Sequence, residues 1–202
     1  ITDSDGTEGW GEIWCNFPSV GAEHRARLVD SVFATLLQGK SFSDPTAAFQ
    51  ELCTRTDVLA IQSAEPGPIA QCIAGLDTAL WDLSAKRAGQ PLWRYLGGKN
   101  PNLGVYASGL NPTSPEILAE RCYADGYRAF KLKVGFGRAR DHGNLQGLRS
   151  VIGACDLMVD ANQAWDIATA CTEAQALAPF ELRWLEEPLR ANRPWSEWRE
   201  LA

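Results

Sequence analysis

Lys131 and Lys133 are separated by a single residue, Leu132, in the run Ala129-Phe-Lys-Leu-Lys-Val134. In an extended strand that spacing turns both ammonium groups to one side and Phe130, Leu132 and Val134 to the other. If the apolar set meets helices, the lysines are directed into an interior where desolvation and mutual repulsion both lower their pKa values. A lysine so placed acts as a base near neutral pH. A solvated strand edge is the plainer reading of an isolated Lys-x-Lys. Asp160 ends Leu-Met-Val-Asp two residues before Asn162, and Glu186 ends Leu-Arg-Trp-Leu-Glu before Glu187 and a strand-closing Pro188. Oxygen donors from separate strand ends suit Mg²⁺, a hard cation that prefers octahedral geometry and keeps water or substrate oxygen in its shell. Two cations beside two anions also make a structural ion-pair layer without any metal.

The elements that must position these residues are repeated strand-helix units. Lys133 to Asp160 is 27 positions and Asp160 to Glu186 is 26, near the ~31 residues per unit of a ~250-residue (β/α)₈ barrel. Short β-rich runs at 104–108, 129–134, 156–160 and 181–186 alternate with helical stretches at 115–124, 138–152 and 167–177, the order of parallel βαβ units. Four units fit half a barrel or a small doubly wound nucleotide-binding sheet. The second would concentrate glycines after its first strand, and Tyr106-Ala-Ser-Gly109 carries no such fingerprint. The spacing favours the barrel and puts the next strand end at roughly position 212, so any third carboxylate ligand is expected beyond Ala202.

Residues 1–102 read as a separate α+β unit. The opening Ile1-Thr-Asp-Ser-Asp-Gly-Thr-Glu-Gly-Trp-Gly-Glu12 is expected to be a hairpin entered partway along its first strand, with a strand missing upstream. Three helices follow: 22–38, then 45 to about 54 with Asp44 as N-cap and Pro45 at the first position, then an amphipathic helix between Pro68 and Gly89. Residues 103–202 hold the strand-helix units.

The net charge of -6 and pI near 5.0 supply no basic stripe for nucleic acid or an anionic membrane, which leaves a small molecule as the expected partner. Six scattered cysteines, Cys15, Cys53, Cys72, Cys122, Cys155 and Cys171, show no Cys-x-x-Cys pair and read as free thiols of a reducing compartment. No apolar run approaches the ~20 residues of a membrane span, so the expected location is cytoplasmic. His24 and His142 fall in helical patterns and read as surface residues. Trp165 follows the Asp160 strand closely enough to line a pocket.

Six blocks resemble the enolase superfamily, specifically its mandelate racemase and muconate lactonizing enzyme branch. They are Gly9-Trp-Gly-Glu12, Ile73-Ala-Gly-Leu-Asp-Thr-Ala-Leu-Trp-Asp82, Gly89-Gln-Pro-Leu92 with Leu96-Gly-Gly98, Lys131-Leu-Lys-Val-Gly135, Met158-Val-Asp-Ala-Asn-Gln163 and Trp184-Leu-Glu-Glu-Pro-Leu189. The resemblance implies an α/β protein in which an N-terminal α+β capping domain precedes the first part of a modified (β/α)₈ TIM-type barrel. It further implies a small-molecule carboxylate as substrate, Lys133 as the base that takes its α-proton, Lys131 as the residue that tunes that base, and Asp160 and Glu186 as the first two Mg²⁺ ligands. Asn162 and Glu187 match neighbours of those ligands. Relatives are often multimers, so a homo-oligomer is expected of the intact protein. The activity implied is racemisation, cycloisomerisation or dehydration through an enolate, with the chemistry itself following enolase-superfamily sites in general. The other reading is an incomplete fragment that serves only as a packing or assembly unit.

Overall fold

A computed structural model describes residues 1–202, which form two compact units, Ile1–Asn102 and Leu103–Ala202. In the first unit, α1 (Gly21–Leu28) passes through a π-helical turn (Val29–Phe33) into α2 (Ala34–Leu37), followed by α3 (Pro45–Gln62), α4 (Pro66–Arg87) and the short α5 (Leu92–Tyr95). Asp44 caps α3 by accepting a hydrogen bond from the Ala47 amide at 2.9 Å, and proline opens both α3 and α4, where its missing N–H costs nothing. The second helix runs about two turns beyond its expected end near Thr54, because nothing between Thr54 and Gln62 breaks it. Phe33, Leu52, Ile69, Cys72, Ile73 and Leu76 form the core of this unit. Burial pushes the Cys72 thiol pKa up, and all six cysteines are free.

The expected N-terminal hairpin is reduced to one antiparallel bridge, Thr2 to Glu8. Beyond it the chain lies along α4 instead of pairing further. A Cβ placed on Gly9 or Gly11 would come within 2.0 Å of the carbonyl oxygens of Ala79 and Gly75 respectively, and one on Gly75 would meet Ile13 at 2.4 Å. Only glycine permits that backbone approach. Asp82 fastens the contact by accepting from the Trp10 amide at 2.8 Å and from Lys86 Nζ at 2.7 Å, while Lys86 also donates to the Glu8 carbonyl. The Gly-Trp-Gly-Glu block and the long Ile73–Asp82 block are thus two sides of one contact.

The second unit alternates β1 (Ala107–Leu110), α6 (Pro115–Ala124), β2 (Ala129–Lys133), α7 (Arg138–Ile152), β3 (Asp156–Asp160), α8 (Ile167–Leu177), a 3₁₀ turn (Ala178–Phe180), β4 (Leu185–Glu186) and α9 (Trp195–Leu201). The four strands are parallel and lie in the order β1-β2-β3-β4. Sequential order leaves no point at which the winding reverses, which a doubly wound nucleotide-binding sheet requires. Tyr106, just before β1, and Trp184, just before β4, meet edge to face with centroids 5.6 Å apart. A flat sheet would hold those strands roughly 14 Å apart. The sheet therefore curls with these rings on its concave side, as in the opening strands of a (β/α)₈ barrel.

The convex side carries the core. Phe130, Leu132 and Val134 pack with Leu145 and Leu148 of α7, Ala119 of α6, Leu157 and Val159 of β3 and Leu177 of α8. The alternation in β2 is thus realised with its apolar set against the helices. At the N-terminal rim of the sheet, Arg149 donates to the carbonyls of Gly153, Cys155, Phe180 and Glu181. Arg128 donates to the carbonyls of Tyr123 and Tyr127 and stacks on the Tyr123 ring. No helix of the chain is long and apolar enough to cross a membrane.

Candidate active site

The register of the sheet puts Lys133, Asp160 and Glu186 in one row: Lys133 pairs with Asp160, and Asp160 with Glu186. All three stand at the C-terminal ends of their strands, the rim at which parallel β/α folds place reactive groups. Lys131, two residues back on β2, faces the same way. Its Nζ crosses β3 to reach Glu186, donating to Oε1 at 2.7 Å and Oε2 at 2.8 Å, and lies 3.8 Å from Asp160 Oδ2. Lys133 Nζ donates to Asp160 Oδ2 and to Asn162 Oδ1, each at 2.6 Å. Asp160 Oδ1 in turn accepts from the Asn162 backbone at 2.8 Å. Two lysines and two carboxylates therefore form one interlocked group, with Asn162 closing it.

Burial differs across the group. The Asp160 and Lys131 side chains are 3% and 8% exposed, those of Lys133 and Glu186 28% and 35%. Desolvation alone would raise the pKa of Asp160, but the Lys133 hydrogen bond and charge, the Asn162 amide and the Lys131 charge outweigh it and hold the carboxyl below the usual aspartate range. The expectation of a lowered lysine pKa is corrected at Lys131. Burial does pull that ammonium down, yet the hydrogen bonds and charge of Glu186, with Tyr106, more than reverse it, and the group stays above its ordinary value. The like-charge neighbour was counted in that expectation and the carboxylate partner was not.

Backbone strain follows the two carboxylate-bearing strands. Asn162, Gln163 and Glu187 hold φ values of +45°, +65° and +44°, a left-handed region that non-glycine residues enter at a cost of about 1–3 kcal/mol each. The turns are tied together. The Gln163 amide donates to the Glu187 carbonyl at 2.7 Å, Gln163 Nε2 reaches Glu187 Oε1 at 3.5 Å, and Gln163 Oε1 accepts from the Ala191 amide. Glu187 thus contacts Gln163 and stands outside the lysine-carboxylate group.

After β2, Gly135 and Gly137 turn the chain at positive φ. Asp141, 4% exposed, accepts from the Gly135 and Phe136 amides. Its burial, reinforced by Glu173, outweighs those amides and His142, so its carboxyl titrates above the usual range.

Several residues at the site escaped sequence reasoning. Trp184 donates its indole N–H to Glu186 Oε2 at 3.2 Å, and the Lys131 ammonium sits 5.2 Å from the centre of the Tyr106 ring. Period-two alternation would have found Trp184, which shares a face with Glu186. Gln163 and Asp141 carried no signal beyond their place in a turn. Trp165, expected to line the pocket, packs against the apolar core, and its amide donates to the Pro188 carbonyl. His24 and His142 are half-buried; His24 Nε2 lies 2.7 Å from Glu65, and His142 sets its ring edge to face with Phe180.

The donor set fits a hard divalent cation. Asp160 and Glu186 are oxygen donors from neighbouring strand ends, with no thiolate or imidazole in the group. They number two, and nowhere does the chain gather three or more His, Cys, Asp or Glu side chains able to hold a metal ion. Mg²⁺ accepts such a partial protein set because it retains water and substrate oxygens.

Residues 1–97 match the N-terminal domain of the mandelate racemase / muconate lactonizing enzyme family, and residues 116–202 match the enolase C-terminal domain-like family. The chain is 36% identical over 194 residues to a 3,6-anhydro-alpha-L-galactonate cycloisomerase of Streptomyces coelicolor, covering 93% of this chain and 52% of that protein. Among solved structures, a mandelate racemase/muconate lactonizing enzyme from Bordetella bronchiseptica superimposes with a TM-score of 0.95 at 61% identity, covering 100% of this chain and 56% of the other. An L-talarate dehydratase from Polaromonas, solved with Mg and L-glucarate, gives 0.77 at 33% identity over 95% and 54%. The chain spans about half the length of these relatives.

Proposed function

The chain belongs to the mandelate racemase/muconate lactonizing enzyme branch of the enolase superfamily, and from that premise we propose that its strand-end group is one half of a Mg²⁺-dependent site for enolising a carboxylate. Lys133 is the base that removes the proton α to the substrate carboxylate, Lys131 supports it, and Asp160 and Glu186 are metal ligands. Asn162 and Glu187 shape the turns on which the ligands end. The observation that carries this reading is the single row Lys133–Asp160–Glu186, crossed by Lys131, at the C-terminal rim.

Charge supports the assignment. Two ammonium groups and two carboxylates sum to zero, so a divalent cation leaves the site with two positive charges, matching a carboxylate that gains a second negative charge on enolisation. When bound, the metal would supply the Lewis acidity that lowers the energy of that dianion. The Lys133 ammonium, held by Asp160 and Asn162, must first give up its proton to act. Its 28% exposure gives that proton a route to solvent. Lys131 stays protonated opposite Glu186 and supplies fixed positive charge beside the substrate carboxylate. Racemisation, cycloisomerisation and dehydration share this first step and diverge afterwards.

In a protein of the relatives' full length, Lys133→Ala is expected to lower solvent-deuterium exchange at the α-carbon of aldonic and aldaric acids by about 10²–10⁴-fold, followed by ¹H NMR, while calorimetric Mg²⁺ binding persists. Exchange at the unsubstituted rate removes Lys133 from the role. The second reading is a packing or assembly unit without turnover. Mg²⁺ binding together with measurable exchange by the 202-residue chain itself would exclude it.

A further inference from the structure

We infer that Trp184 is a positioning residue for Glu186: its indole N–H, braced by Tyr106, fixes the rotation of the carboxylate that faces the cation. The inference rests on the reading of Glu186 as a metal ligand. Lys131 cannot fix that rotation, because an ammonium is a compact charge with three freely rotating donors. It meets the two carboxylate oxygens almost equally, at 2.7 and 2.8 Å. The indole has a single donor on a rigid ring, and it selects one oxygen, Oε2, at 3.2 Å.

The ring is itself held. Tyr106 meets it at 77° with centroids 5.6 Å apart, and the same Tyr106 ring lies under the Lys131 ammonium. Tyr106, Lys131, Glu186 and Trp184 thus close a circuit of contacts drawn from three strands. The backbone completes the hold: the Trp184 and Glu186 carbonyls accept from the Val159 and Ala161 amides of β3 and its extension. With Oε2 engaged by both the indole and Lys131, Glu186 would meet a cation through Oε1, which carries only the Lys131 contact. Single-oxygen ligation suits the tight octahedral shell of Mg²⁺.

The test uses a protein of the relatives' full length that contains these 202 residues, with its tryptophans replaced by 5-fluorotryptophan. Trp184→Phe assigns the Trp184 ¹⁹F resonance by its disappearance, and Mg²⁺ alone is the titrant. The expected result is a saturable shift of that resonance with the same midpoint as the calorimetric binding curve. Placing 3-benzothienylalanine at 184 keeps the bicyclic shape and removes the N–H. This variant is expected to bind Mg²⁺ about tenfold more weakly at an unchanged thermal midpoint. Mg²⁺ binding with an unmoved Trp184 resonance, or with full affinity in the benzothienyl variant, overturns this inference and leaves the metal reading standing. Absence of any Mg²⁺ binding by that protein without substitutions overturns both.

Discussion

Arg149 and Arg128 at the N-terminal rim of the sheet are satisfied by backbone carbonyls, whereas Lys131 and Lys133 at the C-terminal rim face carboxylates. The guanidinium carries five donors in a fixed fork and stays charged, which suits it to stitching loop carbonyls together. An ammonium is a mobile point charge that gives up its proton far more readily. The choice of cation therefore separates a rim that holds the fold from one that holds exchangeable charge. β3 shows the contrast within five residues. Asp156 at its start pairs with Arg183 in the open, and Asp160 at its end pairs with Lys133 in the interior.

The largest expected effect comes from removing the cations of the reactive rim. Lys131→Met with Lys133→Met strands the Asp160 carboxylate, and the chain should lose on the order of 3–5 kcal/mol of stability by urea denaturation. Adding Asp160→Asn to that background should restore much of the loss, and failure to do so would mean that the lysines act through packing. At the other rim, Arg149→Ala frees four carbonyls that water can partly reach, with a cost of about 2 kcal/mol. Arg149→Lys should recover only a minor part of it if fork geometry is what matters.

Asp141 gives a smaller and pH-dependent test. Its folded pKa is raised, so the folded chain binds that proton more tightly than the unfolded chain. Its stabilising contribution is full below the ordinary aspartate pKa and is lost as pH rises from there through the raised value. Asp141→Asn keeps an acceptor and cannot ionise. Its stability relative to the unsubstituted chain should therefore climb across that interval and then level off, the whole change staying within about 1.5 kcal/mol. Asp160, with its lowered pKa, has the opposite slope: its contribution is present above the ordinary aspartate pKa and is lost as pH falls through the lowered value. The smallest effect belongs to Arg183→Ala, where the exposed pair with Asp156 should be worth no more than about 0.5 kcal/mol. A cost as large as that at Arg149 would erase the distinction between buried and exposed pairs on β3.

Much of this architecture was legible in the sequence because punctuation residues mark it. Pro115 and the turn after Ala124 bound α6, Gly137 and Gly153 bound α7, and Asp166 caps α8, so all three helices fall at their expected limits. The two outer strands were harder to place. The run from 104 to 108 has strand-like alternation, yet Val105 is 64% exposed and pairing starts only at Ala107. The last strand shrinks to Leu185–Glu186, although Arg183 still donates to the Leu157 carbonyl and the Trp184 carbonyl accepts from the Val159 amide. At the site, residue types and period-two spacing were enough to bring Lys131, Lys133, Asp160, Glu186 and Asn162 together. Tyr106 comes to the site through its contact with Trp184, between strands that are not neighbours, which curvature creates and no local pattern records. The direction of the Lys131 shift depended on the same three-dimensional fact, its reach across β3 to Glu186.

The π-helical turn at Val29–Phe33 has a consequence for chain length. Such a turn holds one residue more than the α-helical path it replaces, while the helix on either side keeps its facing. Leu28 before it and Phe33 at its end both pack into the first core, and Asp30 and Ser31 between them are exposed. The segment therefore behaves as an α-helix with a one-residue insertion already absorbed. Deleting Asp30 or Ser31 should anneal it into continuous α-helix with Phe33 still inward, so natural length variation in this helix is expected to concentrate at these two positions rather than in the loops around it.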